Sequence, residues 1–303
     1  MWGMVVTALG GPEVLQAAEL PDPVPEPGQV VVRVRAVCVH PADIAGRIGV
    51  MPGGPVPPPF LLGWDIAGEV AAIGADVSEF QPGDRVVGMI PWYLTRGAPG
   101  GYAELVAASS DWLVPLPPEV DFAAAATLPL NGLTAWQALQ LLSIPDGSRL
   151  LITGASGGVG GFAAQLAAHR VLAVANAGDE EWVHGLGANE VISRDTELAS
   201  LRPQPQAVLD AVPIGDAAAA AVCDGGVVVT TRPTPPIDPA RGVQQRLVLI
   251  TSDRERLAML VGLLATGELR TRVAQTLPLT EAAQAHRLVE AGGLRGKIVL
   301  LPS

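Results

Sequence analysis

The sequence holds only two cysteines, Cys38 and Cys223, in 303 residues. Two thiols build neither a disulfide framework nor a four-thiolate zinc lobe, so a reducing compartment, the cytoplasm, is expected. Positive charge is scarce as well: 19 basic residues stand against 30 acidic ones, a net charge of −11. Such a chain repels phosphate backbones and anionic lipid, which excludes nucleic acid and membrane surfaces as partners. No apolar run approaches the ~18 residues of a membrane span. The first basic residue is Arg33, so the opening residues carry no basic head. Neither a transmembrane helix nor a leader peptide is expected.

Apolar residues, by contrast, make up 49% of the chain and charged ones 16%. That composition excludes wholesale disorder and supplies a core for two domains of ordinary size. The 35 glycines and 28 prolines follow no collagen period, so they mark many turns between short elements and argue against an all-helical bundle. No internal repeat is visible.

Period-two alternation dominates the first third, in Gln29–Val37, Ala67–Ile73 and Asp84–Met89, the first and last of these following Pro-Gly pairs. These segments predict antiparallel strands in a partly closed arrangement. Met51–Pro59 is too rich in proline for a regular element and reads as a rim loop. From about Val120 the texture changes. Phe122–Leu142 reads as helix interrupted at Pro129. Arg149–Thr153, Val171–Asn176, Ala207–Leu209, Val227–Thr231 and Leu247–Thr251 read as buried parallel strands, and Asp253–Leu264 and Glu281–Ala291 as helices before a last strand, Lys297–Leu301. Strand and helix in alternation predict an α/β, doubly wound parallel sheet.

Directly after Arg149–Thr153 comes Gly154-Ala155-Ser156-Gly157-Gly158-Val159-Gly160, followed by a helical segment. Small residues there permit a tight turn and let backbone N–H groups approach a pyrophosphate at a helix N-terminus. A plain strand–helix turn is the alternative, but the position inside an alternating α/β segment favours dinucleotide binding.

At this point the chain resembles the medium-chain dehydrogenase/reductase superfamily in its zinc-free quinone oxidoreductase (zeta-crystallin-like) branch. The resemblance runs over nearly the full length. It rests on Gly11–Leu15, Pro41-Ala42-Asp43 with Arg47 and Gly49, Gly63-Trp64-Asp65-Ile66-Ala67-Gly68-Glu69-Val70 and Pro82–Val86. It continues through Gly100–Glu104, Leu128-Pro129-Leu130, Leu133–Trp136, Thr153–Gly160, Ala285-His286-Arg287 and Arg295–Leu300. It implies a GroES-like, partly closed β-barrel domain (1–119 and 272–303) with an inserted Rossmann nucleotide-binding domain (120–271), and an active site in the cleft. It also implies NADPH-dependent reduction of quinones or α,β-unsaturated carbonyls, commonly by a homodimer. Dimerisation is further expected from Leu247–Thr251, which reads as an edge strand with open backbone groups.

In zinc-dependent relatives three side chains hold the metal. The matching positions here are His40, Trp64 and Asn131; Trp64 cannot ligate and Asn131 is a poor ligand, so no metal is expected. Hydride must then land on an acceptor already electron-poor, with a hydrogen bond offered to the oxygen that gains charge.

The resemblance places His40, Asp43, Tyr93 and Asn131 at the reacting end. His40 either donates to an oxyanion or only bonds the cofactor or a neighbouring carboxylate. Asp43 pairs with Arg47 or a backbone amide, and Tyr93 either stacks on a ring acceptor or covers apolar surface. The implied cofactor set is Thr134, the loop Gly154–Gly160, Asn176, Asp179, Thr230, Ile250 and Lys297, the single lysine. Lys297 is equally read as a plain strand end.

Two departures stand out. The region past the second strand, Asn176-Ala177-Gly178-Asp179-Glu180-Glu181, sets three carboxylates where NADPH users place basic or hydroxyl groups. Asp179 suits the ribose hydroxyls of NADH, or simply starts a helix, so NAD(H) stays open beside NADP(H); Arg170 and Arg232 are the candidate cations for a 2′-phosphate. Relatives also carry tyrosines in the stretch Ala45–Met51, where none occurs. These departures leave two other readings open: a biosynthetic cyclase or isomerase that has lost reductase activity, and a non-catalytic nucleotide-binding protein.

Overall fold

The computed structural model describes residues 1–302, and its internal contacts divide it into two units. The first comprises Met1–Leu130, Thr251–Glu268 and the chain from Arg272 onward; the second comprises Asn131–Ile250 with Leu269–Thr271. Segments 120–130 and 251–268, which the sequence assigns to the nucleotide-binding domain, thus pack with the first unit. Specific bonds hold them there: the Leu130 amide donates to the Asp65 carboxylate, and Arg254 Nε donates to the Leu113 carbonyl.

The first unit is mainly antiparallel. Its main sheet runs Val273–Pro278, Lys297–Leu301, Gln29–Cys38, Asp65–Ile73, Arg85–Met89, Leu113–Pro115, with Leu105–Ser109 also pairing Gln29–Cys38. A smaller sheet joins Leu15–Glu19, Trp2–Val6 and Phe60–Leu61. The Pro-Gly signals produce the turns they predict. Glu26-Pro27-Gly28-Gln29 and Gln81-Pro82-Gly83-Asp84 each close with an i+3 amide on the carbonyl of residue i, at 3.0 and 3.1 Å. Gly28 and Gly83 sit at φ 77° and 97°, the left-handed position a type II turn reserves for glycine.

The second unit carries a six-stranded parallel sheet in the order Glu190–Ser193, Arg170–Ala175, Arg149–Ile152, Ala207–Asp210, Val227–Thr230, Gln244–Leu247. Its first strand in sequence, Arg149–Ile152, lies at the centre, where the winding reverses. Ligands of doubly wound sheets bind beyond the carboxyl ends of the strands at that point. Leu151, Leu172, Val174, Val208 and Val228 pack with Ala218, Ala221 and Val222 to form an apolar core.

Both architectures match the expected fold class, with local corrections in the parallel sheet. The strand expected at Leu247–Thr251 is Gln244–Leu247, in register with Val227–Thr230. It lies at the sheet edge, where one face meets solvent and polar residues are tolerated, so the apolar run is not the ladder. The strand Glu190–Ser193 has no counterpart in the sequence reading, because four residues carry too little periodicity to announce themselves. Among the described residues no helix is long and apolar enough to cross a membrane.

Candidate functional site

In the second unit, Gly154–Gly160 joins the central strand to the helix Gly158–Leu166. The first-turn amides of a helix have no partner within it. Here the N-cap is Gly157, no side chain caps it, and no acidic residue occupies the first turn. Those amides and the positive end of the helix dipole are thus available to an anion. Close packing needs the glycines too: a Cβ on Gly160 would lie 2.4 Å from the Gly154 carbonyl oxygen. The loop is not plugged, since Gly157 is exposed and Ser156 half-buried, while Ala155 points into the core. The site fits a diphosphate.

Asn131 and Thr134 are buried in the helix Pro129–Leu142, one turn apart. A Cβ on Gly158 would meet Asn131 Oδ1 at 2.6 Å, so Asn131 lies against the glycine loop. Thr230 ends its strand and lines a cavity of about 240 Å³ with Asp210, Asp216, Asp238 and Arg241. Burial raises the Asp210 carboxyl, opposed by the Thr153 hydroxyl and the Ile214 and Gly215 amides. Ile250 lies past the end of the edge strand, half-buried.

The candidate adenosine end lies past the strand Arg170–Ala175. Asp179 is buried at the start of the helix Glu180–Gly185, and Glu180 turns back to accept from the Gly178 amide at 2.8 Å. Glu180 is therefore engaged within the turn, and Asp179 is buried at its edge. Arg170 opens its strand, at the end opposite the glycine loop, about 17 Å away along the strand at roughly 3.3 Å per residue. Arg232 exerts its charge on Asp210. A further cation lies at this place, Arg194, just after Glu190–Ser193, whose Nη1 donates to Asn176 Oδ1 at 2.9 Å. Both side chains are exposed. Sequence reasoning missed Arg194 because it missed the strand that delivers it.

The first unit gathers a second group. His40 precedes the helix Pro41–Ile48, and its Nε2 lies 2.9 Å from Asp65 Oδ2, with both side chains buried. Its Nδ1 faces Lys297 Nζ at 3.5 Å. Burial, with the Lys297 charge adding to it, holds the His40 imidazole well below its usual range. Of the partners the sequence offers His40, the neighbouring carboxylate is the one in contact, with Lys297 facing the other ring nitrogen. Asp65 also accepts from the Leu130 amide. It lies inside the Gly63–Val70 stretch, where the sequence alone gives it no role of its own.

Asp43 is fully buried and accepts from the His40 and Gly63 amides at 2.8 and 2.9 Å and from the Tyr102 hydroxyl. Arg47 does not reach Asp43. It pairs with Glu290 and places Nη1 3.1 Å from His286 Nδ1. Tyr93 is half-buried, its ring 6.0 Å from the ring of Trp64, and its hydroxyl accepts from the Ser252 amide. Among the described residues no three His, Cys, Asp or Glu side chains are placed to hold a metal ion.

Residues 26–118 match the alcohol dehydrogenase GroES-like domain, and residues 186–300 match the family described as zinc-binding dehydrogenase. The chain is 34% identical to the chloroplastic quinone-oxidoreductase of Triphysaria versicolor, an alignment covering 97% of this chain and 95% of that protein. It is 30% identical to the chloroplastic NADPH-dependent alkenal/one oxidoreductase of Arabidopsis thaliana, over 100% of this chain and 80% of the other. Among solved structures, the quinone oxidoreductase of Coxiella burnetii superposes with a TM-score of 0.87 at 29% identity, covering 99% of each chain.

Proposed function

Because the chain belongs to the quinone oxidoreductase branch of the medium-chain dehydrogenase/reductase superfamily, we propose that it passes hydride from NADPH to a quinone or to a C=C bond conjugated to a carbonyl. The observation that carries the reading is the glycine loop at the winding reversal, with uncapped first-turn amides and Arg194 beside Asn176 at the end of the neighbouring strand. When bound, the reduced nicotinamide supplies the hydride. The chain's own tasks are to hold the diphosphate on those amides, to meet the 2′-phosphate with Arg194, and to stabilise charge on the acceptor oxygen.

The preference for NADPH over NADH rests on Arg194, an exposed guanidinium suited to a phosphate dianion. The relative that is named NADPH-dependent supports it. Zinc independence rests on the donor set: Trp64 and Asn131 are not zinc ligands, and the His40 nitrogens are engaged. Asn131, Thr134, Thr230 and Ile250 are proposed as cofactor contacts and Tyr93 as an acceptor contact. A homodimer is proposed from the edge strand Gln244–Leu247 and the exposed Leu249 beyond it. Both cysteines are free, which supports a reducing compartment such as the cytoplasm.

Titration of NADPH and NADH against the purified chain, followed by acceptor-dependent oxidation of the tighter binder, tests the reading. NADPH binding with turnover of simple quinones or enones is the expected result. Failure of either nucleotide to bind would sink it, and turnover without any nucleotide would favour the cyclase or isomerase alternative.

A further inference from the structure

Lys297 opens the last strand, which lies antiparallel to Gln29–Cys38; the Val39 amide donates to the Ile298 carbonyl at 2.9 Å, and this brings Lys297 beside His40. It is the only lysine of the chain. An ammonium has donors and no lone pair, so in facing His40 Nδ1 at 3.5 Å it requires that nitrogen to carry the lone pair. The ring proton then sits on Nε2 and is donated to Asp65 Oδ2 at 2.9 Å. The result is a line of cation, neutral ring and carboxyl group whose inner two members are buried and whose outer member is half-buried.

Among the described residues no carboxylate lies within ion-pair distance of Lys297. The nearest acids, Asp65 and Asp43, lie beyond the imidazole, and burial raises both carboxyls against the pull of the Lys297 charge. One N–H is fixed on His40 and two remain to be offered elsewhere. A lysine serving only to neutralise a buried acid would sit directly on the carboxylate. Here the ring is interposed and the ammonium is left at the outer end.

Resting on the reductase reading above, we propose that Lys297 is the proton donor to the acceptor oxygen, with His40 and Asp65 as its positioning residues. An enone that has received a hydride at its β-carbon has gained one C–H bond and two electrons, and it carries the negative charge on its carbonyl oxygen. A Lys297 N–H bond breaks and an O–H bond forms there, giving the enol, which becomes the ketone. Lys297, left as the neutral amine, recovers its proton from water. The reducing equivalents come from the nucleotide of the proposed reaction, and the line through His40 keeps the ammonium aimed at one place throughout.

The test compares wild type, Lys297→Met and Lys297→Arg in the full-length chain, measuring NADPH Kd by fluorescence titration and kcat with an enone, with circular dichroism as the check of folding. Lys297→Met is expected to keep its NADPH Kd within twofold and to lose about 10²-fold in kcat, the lower range of general acid catalysis. Lys297→Arg keeps the charge but does not release a proton, so it too should bind NADPH normally and turn over slowly. Full kcat in the arginine variant would overturn proton donation, as would a weakened NADPH Kd with unchanged kcat in the methionine variant, which would make Lys297 a cofactor contact. If Lys297→Met fails to fold, the arginine variant decides alone. A wild-type chain that binds no nucleotide overturns the reductase reading and this proposal with it; a competent wild type matched by both variants overturns this proposal only.

Discussion

Arg47 Nη1 lies 3.1 Å from His286 Nδ1, and that one contact sets the direction of a buried chain of hydrogen bonds. A guanidinium only donates, so Nδ1 carries the lone pair and Nε2 the proton. His286 Nε2 then donates to the Tyr102 hydroxyl oxygen at 3.0 Å, and Tyr102 donates to Asp43. The chain ends on a carboxylate that also receives the His40 and Gly63 amides.

This arrangement predicts two opposed pH dependences. Burial, with the Arg47 charge adding to it, drives His286 from 6.5 down to about 3. Its contribution to stability is present above pH 6.5 and is lost as pH falls toward 3. Burial pushes Asp43 from 3.8 up to about 7 against the pull of its donors. Its contribution is present below pH 3.8 and is lost as pH rises through 7. The two slopes oppose each other between about pH 4 and 6.5. Urea denaturation across that range should therefore show Asp43→Asn gaining stability with rising pH more steeply than wild type, and His286→Gln less steeply. Parallel curves for all three proteins would contradict the assignment.

Arg194→Ala should weaken NADPH roughly 10- to 100-fold, the scale of hydrogen bonds to a charged group, while leaving NADH binding unchanged. Competition with 2′,5′-ADP against 5′-ADP isolates the phosphate from the nicotinamide. Equal loss for both nucleotides would place Arg194 in the fold rather than at the 2′-phosphate.

Two glycine substitutions should move in opposite directions. Gly160→Ala brings a methyl group within 2.4 Å of the Gly154 carbonyl oxygen and 2.8 Å of its carbon, both backbone atoms. It should cost about 1–3 kcal/mol, as overpacking does, and loosen nucleotide binding. Gly262 lies exposed inside the helix Arg254–Thr266, where a Cβ would meet nothing. Gly262→Ala should stabilise by about 0.5–1 kcal/mol. Thermal denaturation reads both.

The sequence by itself determined the two architectures, the Pro-Gly turns and the place of the glycine loop. These follow from local rules: alternation, the left-handed backbone that glycine permits, and the small side chains that a strand-to-helix bend needs. It did not determine what the polar side chains do. His40 reads from sequence as an oxyanion donor or as the partner of a neighbouring carboxylate, and its ring is occupied on both sides by Asp65 and Lys297, 25 and 257 residues away. Arg194 becomes the phosphate candidate only once Glu190–Ser193 is laid beside Arg170–Ala175. Asp179, the candidate for ribose, is buried at the start of its helix. A hydrogen bond or a charge acts over a few ångströms whatever the distance along the chain, so only the tertiary structure decided which residues share a proton.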